Sequence, residues 1–361
     1  MAFKPSICTM SLGRCFAGHS LKYKLQMASK YGFQGIELFY EDLAALTNLI
    51  KAAHIIRSYC NEFGLELICL QPFMHYEGLL DRALHRRRLD EMRLWVQLAH
   101  ILGTDLIMLP SSNLPSEEMT TDMDLIVSDM VEIADIGARA MPPIRFAYEA
   151  LCWGTRVDTW EGSWDIVQKV NRRNFGICLD TFNIAGRIYA DPLSPTGRTQ
   201  NCDETLNKSL ECLVENVPAE RIFLLQVADG ERLSKPLTEG HEFYNAEQPS
   251  RMSWSRNARL FYGESRYGGY LPVQQILHTL IYRIGWEGWL SLEVFNRALV
   301  DTKKSVPEEM ANRAAQSWEC LKRDLRLEDS SPQIRPTIYE EAVHAPIMPS
   351  FLIPTAHVAG C

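Results

Sequence analysis

Two stretches decide the fold: Arg145-Phe146-Ala147-Tyr148-Glu149 and Phe175-Gly176-Ile177-Cys178-Leu179-Asp180. Each is a short, mostly apolar run that stops on a carboxylate. Between them lies Trp160 to Val170, a helical pattern with Trp164 and Val167 on one face. A strand, a helix and a second strand in that order form a βαβ unit, which places the strands in parallel.

The same alternation extends in both directions. Towards the N-terminus the apolar runs are Ser6 to Met10, Gly35 to Phe39, Leu65 to Leu70 and Leu106 to Leu109. Helices are expected from about Ser20 to Tyr31 and from Ser116 to Ala140. A further helix carries Leu43, Leu46, Ile50, Ala53, Ile56, Cys60 and Phe63, and another carries Leu84, Met92, Trp95, Ala99 and Leu102. Gly64 and Gly103 stand where those last two should stop. Towards the C-terminus come a helix near Cys202 to Val214, a strand Ile222 to Val227 and a strand Leu290 to Val294. Ser305-Val306-Pro307-Glu308 reads as a capping box opening the last helix, with Met310, Ala314, Trp318, Leu321 and Leu325 on one stripe.

Eight strands, nearly all followed by a helix, predict a (β/α)8 TIM barrel over residues 1–328. An open doubly wound sheet fits less well, because no glycine-rich phosphate loop follows the first strand. Two connections are long, Thr181 to Gln200 and Ala228 to Leu271; both follow strands, so both belong on the face where barrel active sites form. Residues 329–361 hold Pro332, Pro336, Pro346, Pro349 and Pro354 and read as a C-terminal proline-containing tail.

Composition narrows the function. The 361 residues are 46% hydrophobic and 23% charged, an ordinary globular balance. A net charge of -8 gives no basic field for nucleic acid. No apolar run is long enough for a bilayer, and the N-terminus lacks a secretory core, so a cytoplasmic protein without a membrane partner is expected. Oligomerisation is left open. Ten scattered cysteines without a C-x-x-C pair read as reduced thiols.

The chemistry lies at the strand ends. Glu149, Asp180, Gln226 and Glu293 finish strands five to eight, neighbours around one half of the barrel. Carboxylates converging there repel one another, and a divalent cation relieves that repulsion. Four oxygen donors suit Mg²⁺ or Mn²⁺ better than thiolate-loving zinc.

Tyr148-Glu149-Ala150-Leu151, Cys178-Leu179-Asp180-Thr181-Phe182 and Leu292-Glu293 resemble the xylose-isomerase-like barrel superfamily, as does the turn Gly268-Gly269-Tyr270-Leu271-Pro272. More closely, several segments resemble fungal-type 3-dehydroshikimate dehydratases of quinate catabolism. These are Met10-Ser11-Leu12-Gly13, Gly18-His19-Ser20, Gly35-Ile36-Glu37-Leu38, Gln71 to Gly78 and Glu149 to Gly154, and the likeness spans about residues 3–325. The resemblance implies a hydro-lyase that turns 3-dehydroshikimate into protocatechuate and water through a metal-stabilised enediolate. It places the metal ligands on Glu149, Asp180, Gln226 and Glu293. Much of the superfamily has histidine where this chain has Gln226 and Asn183, so the usual base is absent. The alternative is a sugar or hydroxypyruvate isomerase, or an inosose-type dehydratase, on the same metal site. A non-enzymatic metabolite-binding regulator is a third reading, and the intact carboxylate set weighs against it.

For the base, His75 just past the third strand comes first, since imidazole titrates near neutral pH. His241 in the long loop is second, and Glu149 or Glu293 could serve both metal and proton. Tyr76 is a candidate donor to the leaving hydroxyl. A substrate carboxylate calls for arginine. Arg266 leads the candidates, followed by Arg256, Arg259 and Arg156.

Overall fold

The computed structural model describes residues 3–327. The proline-containing segment expected at 329–361 lies outside the described residues. Eight parallel strands close a barrel: β1 (Lys4–Cys8), β2 (Gly35–Phe39), β3 (Glu66–Gln71), β4 (Leu106–Pro110), β5 (Arg145–Glu149), β6 (Phe175–Asp180), β7 (Ile222–Val227) and β8 (Trp289–Leu292). They neighbour one another in chain order, and β8 pairs with β1 to seal the ring.

Strand alternation separates two cores. Ala147, Cys178 and Leu224 point inward with Cys69 and Met108 and fill the barrel. Their neighbours Tyr148, Leu179 and Leu225 point outward, into the larger core between barrel and helices. Two residues beyond each inward position stands Glu149, Asp180 or Gln226, so the register that packs the barrel also aims these groups at its mouth.

The surrounding helices are α1 (Leu21–Lys30), α2 (Tyr40–Ala44), α3 (Leu49–Phe63), α4 (Arg82–Leu102), α5 (Met123–Arg139), α6 (Trp160–Val170), α7 (Thr181–Ile188), α8 (Cys202–Asn216), α9 (Ser250–Ala258), α10 (Val273–His278) and α11 (Val306–Leu325). Several differ from the sequence reading. Leu43 and Leu46 do not continue α3: the Asn48 carboxamide accepts from the N–H groups of Ile50 and Lys51, which starts a new helix there. α5 begins at Met123 because Asp122 caps it, and Ser116–Glu118 forms only a 3-10 turn. The Ser305 hydroxyl makes no capping bond, so the expected box does not form.

Both long connections are structured. The first begins directly as α7, capped by Asp180, which accepts from the Phe182 N–H. The second contains α9 and a short antiparallel pair, Asp229–Gly230 with Arg259–Leu260. The nine cysteines among the described residues are free. No helix among the described residues is long and apolar enough to cross a membrane.

Candidate active site

The floor of the site is a layer of strand-end groups. Carboxylate oxygens of Glu149, Asp180 and Glu293 lie within 4.8 Å of one another. The three residues are 3%, 1% and 3% exposed. Burial lifts all three carboxyls above their ordinary range. Repulsion from Asp180 and Glu293 drives Glu149 further up. Glu293 rises to about 8 although Arg259 pulls it down.

Arg259 is the cation of this layer. Its Nη1 donates to Asp180 Oδ2 at 2.7 Å and to Glu293 Oε2 at 3.2 Å. Its Nε donates to Ser255 Oγ at 2.9 Å. The guanidinium lies between the rings of Phe182 (4.4 Å) and Phe295 (4.9 Å). The antiparallel pair, Gly230 opposite Arg259, carries it inward.

Three amides complete the layer. Asn183 Nδ2 donates to Glu149 Oε1 (2.7 Å) and to Asp180 Oδ2 (2.9 Å). Gln71 Nε2 donates to Glu293 Oε1 (2.6 Å) and to Glu37 Oε2 (3.2 Å). Gln226 Nε2 donates to Glu37 Oε2 (2.9 Å), while its oxygen accepts from the Cys178 thiol (3.5 Å). Burial pushes Glu37 up to about 7, and its Oε1 is buried with no partner among the described residues.

This layer fits a hard cation. Glu37, Glu149, Asp180 and Glu293 oppose one guanidinium, and three carboxylates already cluster at ligating separation. A second acidic group, His85, Asp129 and Glu132, lies between α4 and α5. There Arg82 already holds Asp129 through both carboxylate oxygens.

Above the floor opens a cavity of about 500 Å³. Glu149, Glu293 and Arg259 line its depth. Arg14, Tyr40, Glu41, Trp153 and Arg256 are among its other walls. Gly13 (φ +119°) makes the turn that leads to Arg14; a Cβ there would come within 2.6 Å of His19 Cδ2.

The cavity gathers some of the sequence candidates and leaves others outside. Glu149, Glu293, Arg256 and Arg259 line it. His75 does not: its Nδ1 faces Ser112 Oγ at 3.3 Å, and burial lowers its pKa. Tyr76 is fully buried, and its hydroxyl donates to the Asp129 carbonyl. His241 takes the Phe243 N–H on its Nδ1 inside its own loop. Arg266 packs on Tyr267 away from the cavity. Arg156 is spent on the carbonyls of Ser116, Met119 and Thr120.

Gln71 went unread, although it closes β3 as a polar group ending an apolar run, the signal that found Gln226. Glu37, which also lies near the end of an apolar run, accepts from both glutamines in the carboxylate layer. Arg14 and Glu41 carried no sequence signal, because turns rather than strand register place them.

A xylose isomerase-like TIM barrel family model matches residues 25–323. A 3-dehydroshikimate dehydratase of Neurospora crassa is 56% identical over 350 residues, 92% of this chain and 98% of that protein. A 3-dehydroshikimate dehydratase of Pseudomonas aeruginosa is 30% identical over 293 residues; the match covers 81% of this chain but only 38% of that longer protein. Among solved structures, a xylose isomerase-like TIM barrel/4-hydroxyphenylpyruvate dioxygenase fusion protein superposes with a TM-score of 0.70 at 25% identity, over 91% of this chain and 44% of the fusion. The chain belongs to the xylose isomerase-like TIM barrel family.

Proposed function

We infer that this chain is a 3-dehydroshikimate dehydratase, a hydro-lyase that releases water from 3-dehydroshikimate to give protocatechuate. The observation that carries this reading is the 56% identity to the Neurospora enzyme over nearly the whole of both chains. The isomerase alternative is set aside because that relative bears the dehydratase name.

The proposed cofactor is Mg²⁺ or Mn²⁺, held by Glu149, Asp180 and Glu293, with Gln226 as the fourth donor once its oxygen turns from the Cys178 thiol to the ion. Such a cation would polarise the substrate ketone and acidify the neighbouring C–H. The chain's own groups handle the protons. Glu149 Oε2 makes no hydrogen bond among the described residues, whereas both oxygens of Glu293 accept one. Glu149 Oε2 is therefore the atom free to take the proton next to the ketone. Asn183 holds the other oxygen of the same carboxylate and fixes its orientation. The proton taken there then leaves with the β-hydroxyl as water, and transfer of one further ring proton to the ketone oxygen gives the aromatic product. We place the reaction in the cytoplasm, with a small molecule as the partner.

The direct test follows the ultraviolet absorbance of a catechol carboxylate when 3-dehydroshikimate is added to metal-supplemented protein, with and without chelator. Product that appears and is abolished by chelator is the expected result. No product in either condition overturns the dehydratase reading, and product undiminished by chelator overturns the metal assignment.

A further inference from the structure

We propose that Arg14 and Arg256 form a two-arginine clamp at the cavity mouth that binds the carboxylate of the substrate, with Glu41 as the built-in anion it displaces. The inference deepens the dehydratase reading and rests on it.

Three observations converge. The first is the polarity of the cavity. Its floor exposes Glu149 and Glu293 against Arg259, with Asp180 buried behind them on the same guanidinium, whereas its mouth carries Arg14 and Arg256 against Glu41. The mouth thus has a surplus of one positive charge, which one carboxylate neutralises. A monoanionic ring acid entering this field turns its carboxylate outward and its oxygenated edge toward the floor.

The second is the state of the two guanidinium groups. Arg14 uses a single nitrogen, Nη2, to reach both oxygens of Glu41 at 2.8 Å each. Its Nε is buried with no partner among the described residues. A fork so used is not the paired arrangement a guanidinium prefers with a carboxylate. Arg256 makes one exposed bond, to Gln248 Oε1 at 3.2 Å. Burial, and then the neighbouring Arg14 charge, lower its pKa. The two cations repel across the cavity, and an anion between them relieves that repulsion.

The third is their placement. Arg14 leaves the β1 exit behind Gly13 and is tied there by its backbone N–H to the Leu299 carbonyl. Arg256 stands on α9, three residues before Arg259, which grips the floor. The last turn of α9 carries Arg256 and runs directly into Arg259, so the α9 half of the clamp and the floor cation are three residues apart, which fixes the spacing between the two ends of the substrate.

The test compares two ligands that share a catechol and differ in one carboxylate. Protocatechuate and catechol are titrated by calorimetry into metal-loaded protein. Wild type is expected to bind protocatechuate at least about tenfold more tightly. Arg256→Ala and Arg14→Ala should bring that ratio close to one with catechol affinity unchanged. Arg256→Lys should restore part of it, since lysine keeps the charge and loses the fork. Glu41→Gln should move the other way and tighten protocatechuate severalfold, a gain that a merely structural role would not produce. A ratio near one in wild type, or a ratio undiminished in both alanine variants, overturns the clamp. Turnover of 3-dehydroshikimate by wild type is scored separately, so failure of the dehydratase reading is distinguishable from failure of the clamp.

Discussion

The floor and the mouth of the cavity are built by different rules. The floor carboxylates and amides sit on strand ends or in the residues just beyond them, where register with neighbouring strands aims them, while Arg259 reaches them from the inserted connection: Glu149 pairs with Cys178, and Asp180 with Gln226. The mouth groups Arg14, Glu41 and Arg256 sit on a glycine turn, a five-residue helix and an inserted helix. Floor geometry is therefore common property of the barrel, whereas mouth geometry belongs to these particular loops. The floor should set what chemistry occurs, and the mouth should set which molecule it occurs on.

The largest expected effect follows from breaking the floor. Glu149→Gln keeps the shape and leaves an oxygen for Asn183, but removes the charge. kcat/KM should fall about a thousandfold, equivalent to about 4 kcal/mol of transition-state stabilisation. The metal-free variant should melt no lower than wild type, because one of three mutually repelling carboxylates is gone. Activity within tenfold of wild type would show that Glu149 neither holds the cation nor takes the proton.

Outside the cavity lining, buried Glu77 accepts at Oε1 from the Ser112 N–H (2.6 Å) and the Tyr148 hydroxyl (3.2 Å). It props the chain leaving β4 behind the cavity wall. Burial raises its pKa to about 7. The folded protein then holds a proton that the unfolded chain releases above pH of about 4.3, so stability falls as pH rises from there to about 7 and levels off beyond. The drop amounts to about 4 kcal/mol. Glu77→Gln cannot ionise, and its urea midpoint should decline less than that of wild type between pH 5 and pH 8. Parallel declines would mean Glu77 ionises in the fold as freely as in the unfolded chain.

The same division explains what could be read in advance. Glu149 and Asp180 were legible because a five- or six-residue run with period-two alternation fixes which side chain faces inward once the barrel is assumed. The order of eight units made that assumption reasonable. Arg14 was not legible, since its position depends on a backbone angle at Gly13 and on His19 packing against that glycine. His75 misled for a related reason: its residue type suits a base, but a positive φ and the Ser112 hydroxyl turn it away from the cavity. Arg266 sat near a glycine-rich turn in sequence, yet that turn faces Glu231 and Arg232 rather than the floor.

The smallest effect tests whether the mouth depends on the break between α2 and α3. The spacing of Leu43, Leu46 and Ile50 would suit one continuous helix, and only the Asn48 cap interrupts it. The interruption leaves Tyr40 and Glu41 on a separate short helix at the cavity wall, where Lys24 pins the adjacent Asp42 through both oxygens, at 2.6 and 2.7 Å. Asn48→Ala removes two capping bonds and should cost about 1 kcal/mol. In a chain this long that lowers the melting temperature by only about 2 °C. The informative readout is the split in kinetics. If Lys24 and Asp42 hold the short helix by themselves, KM and kcat both stay at wild-type values while the melting temperature drops. A rise in KM at constant kcat would instead show that the cap positions Glu41. Because Asn48 touches no floor group, a change in kcat would contradict the division between floor and mouth itself.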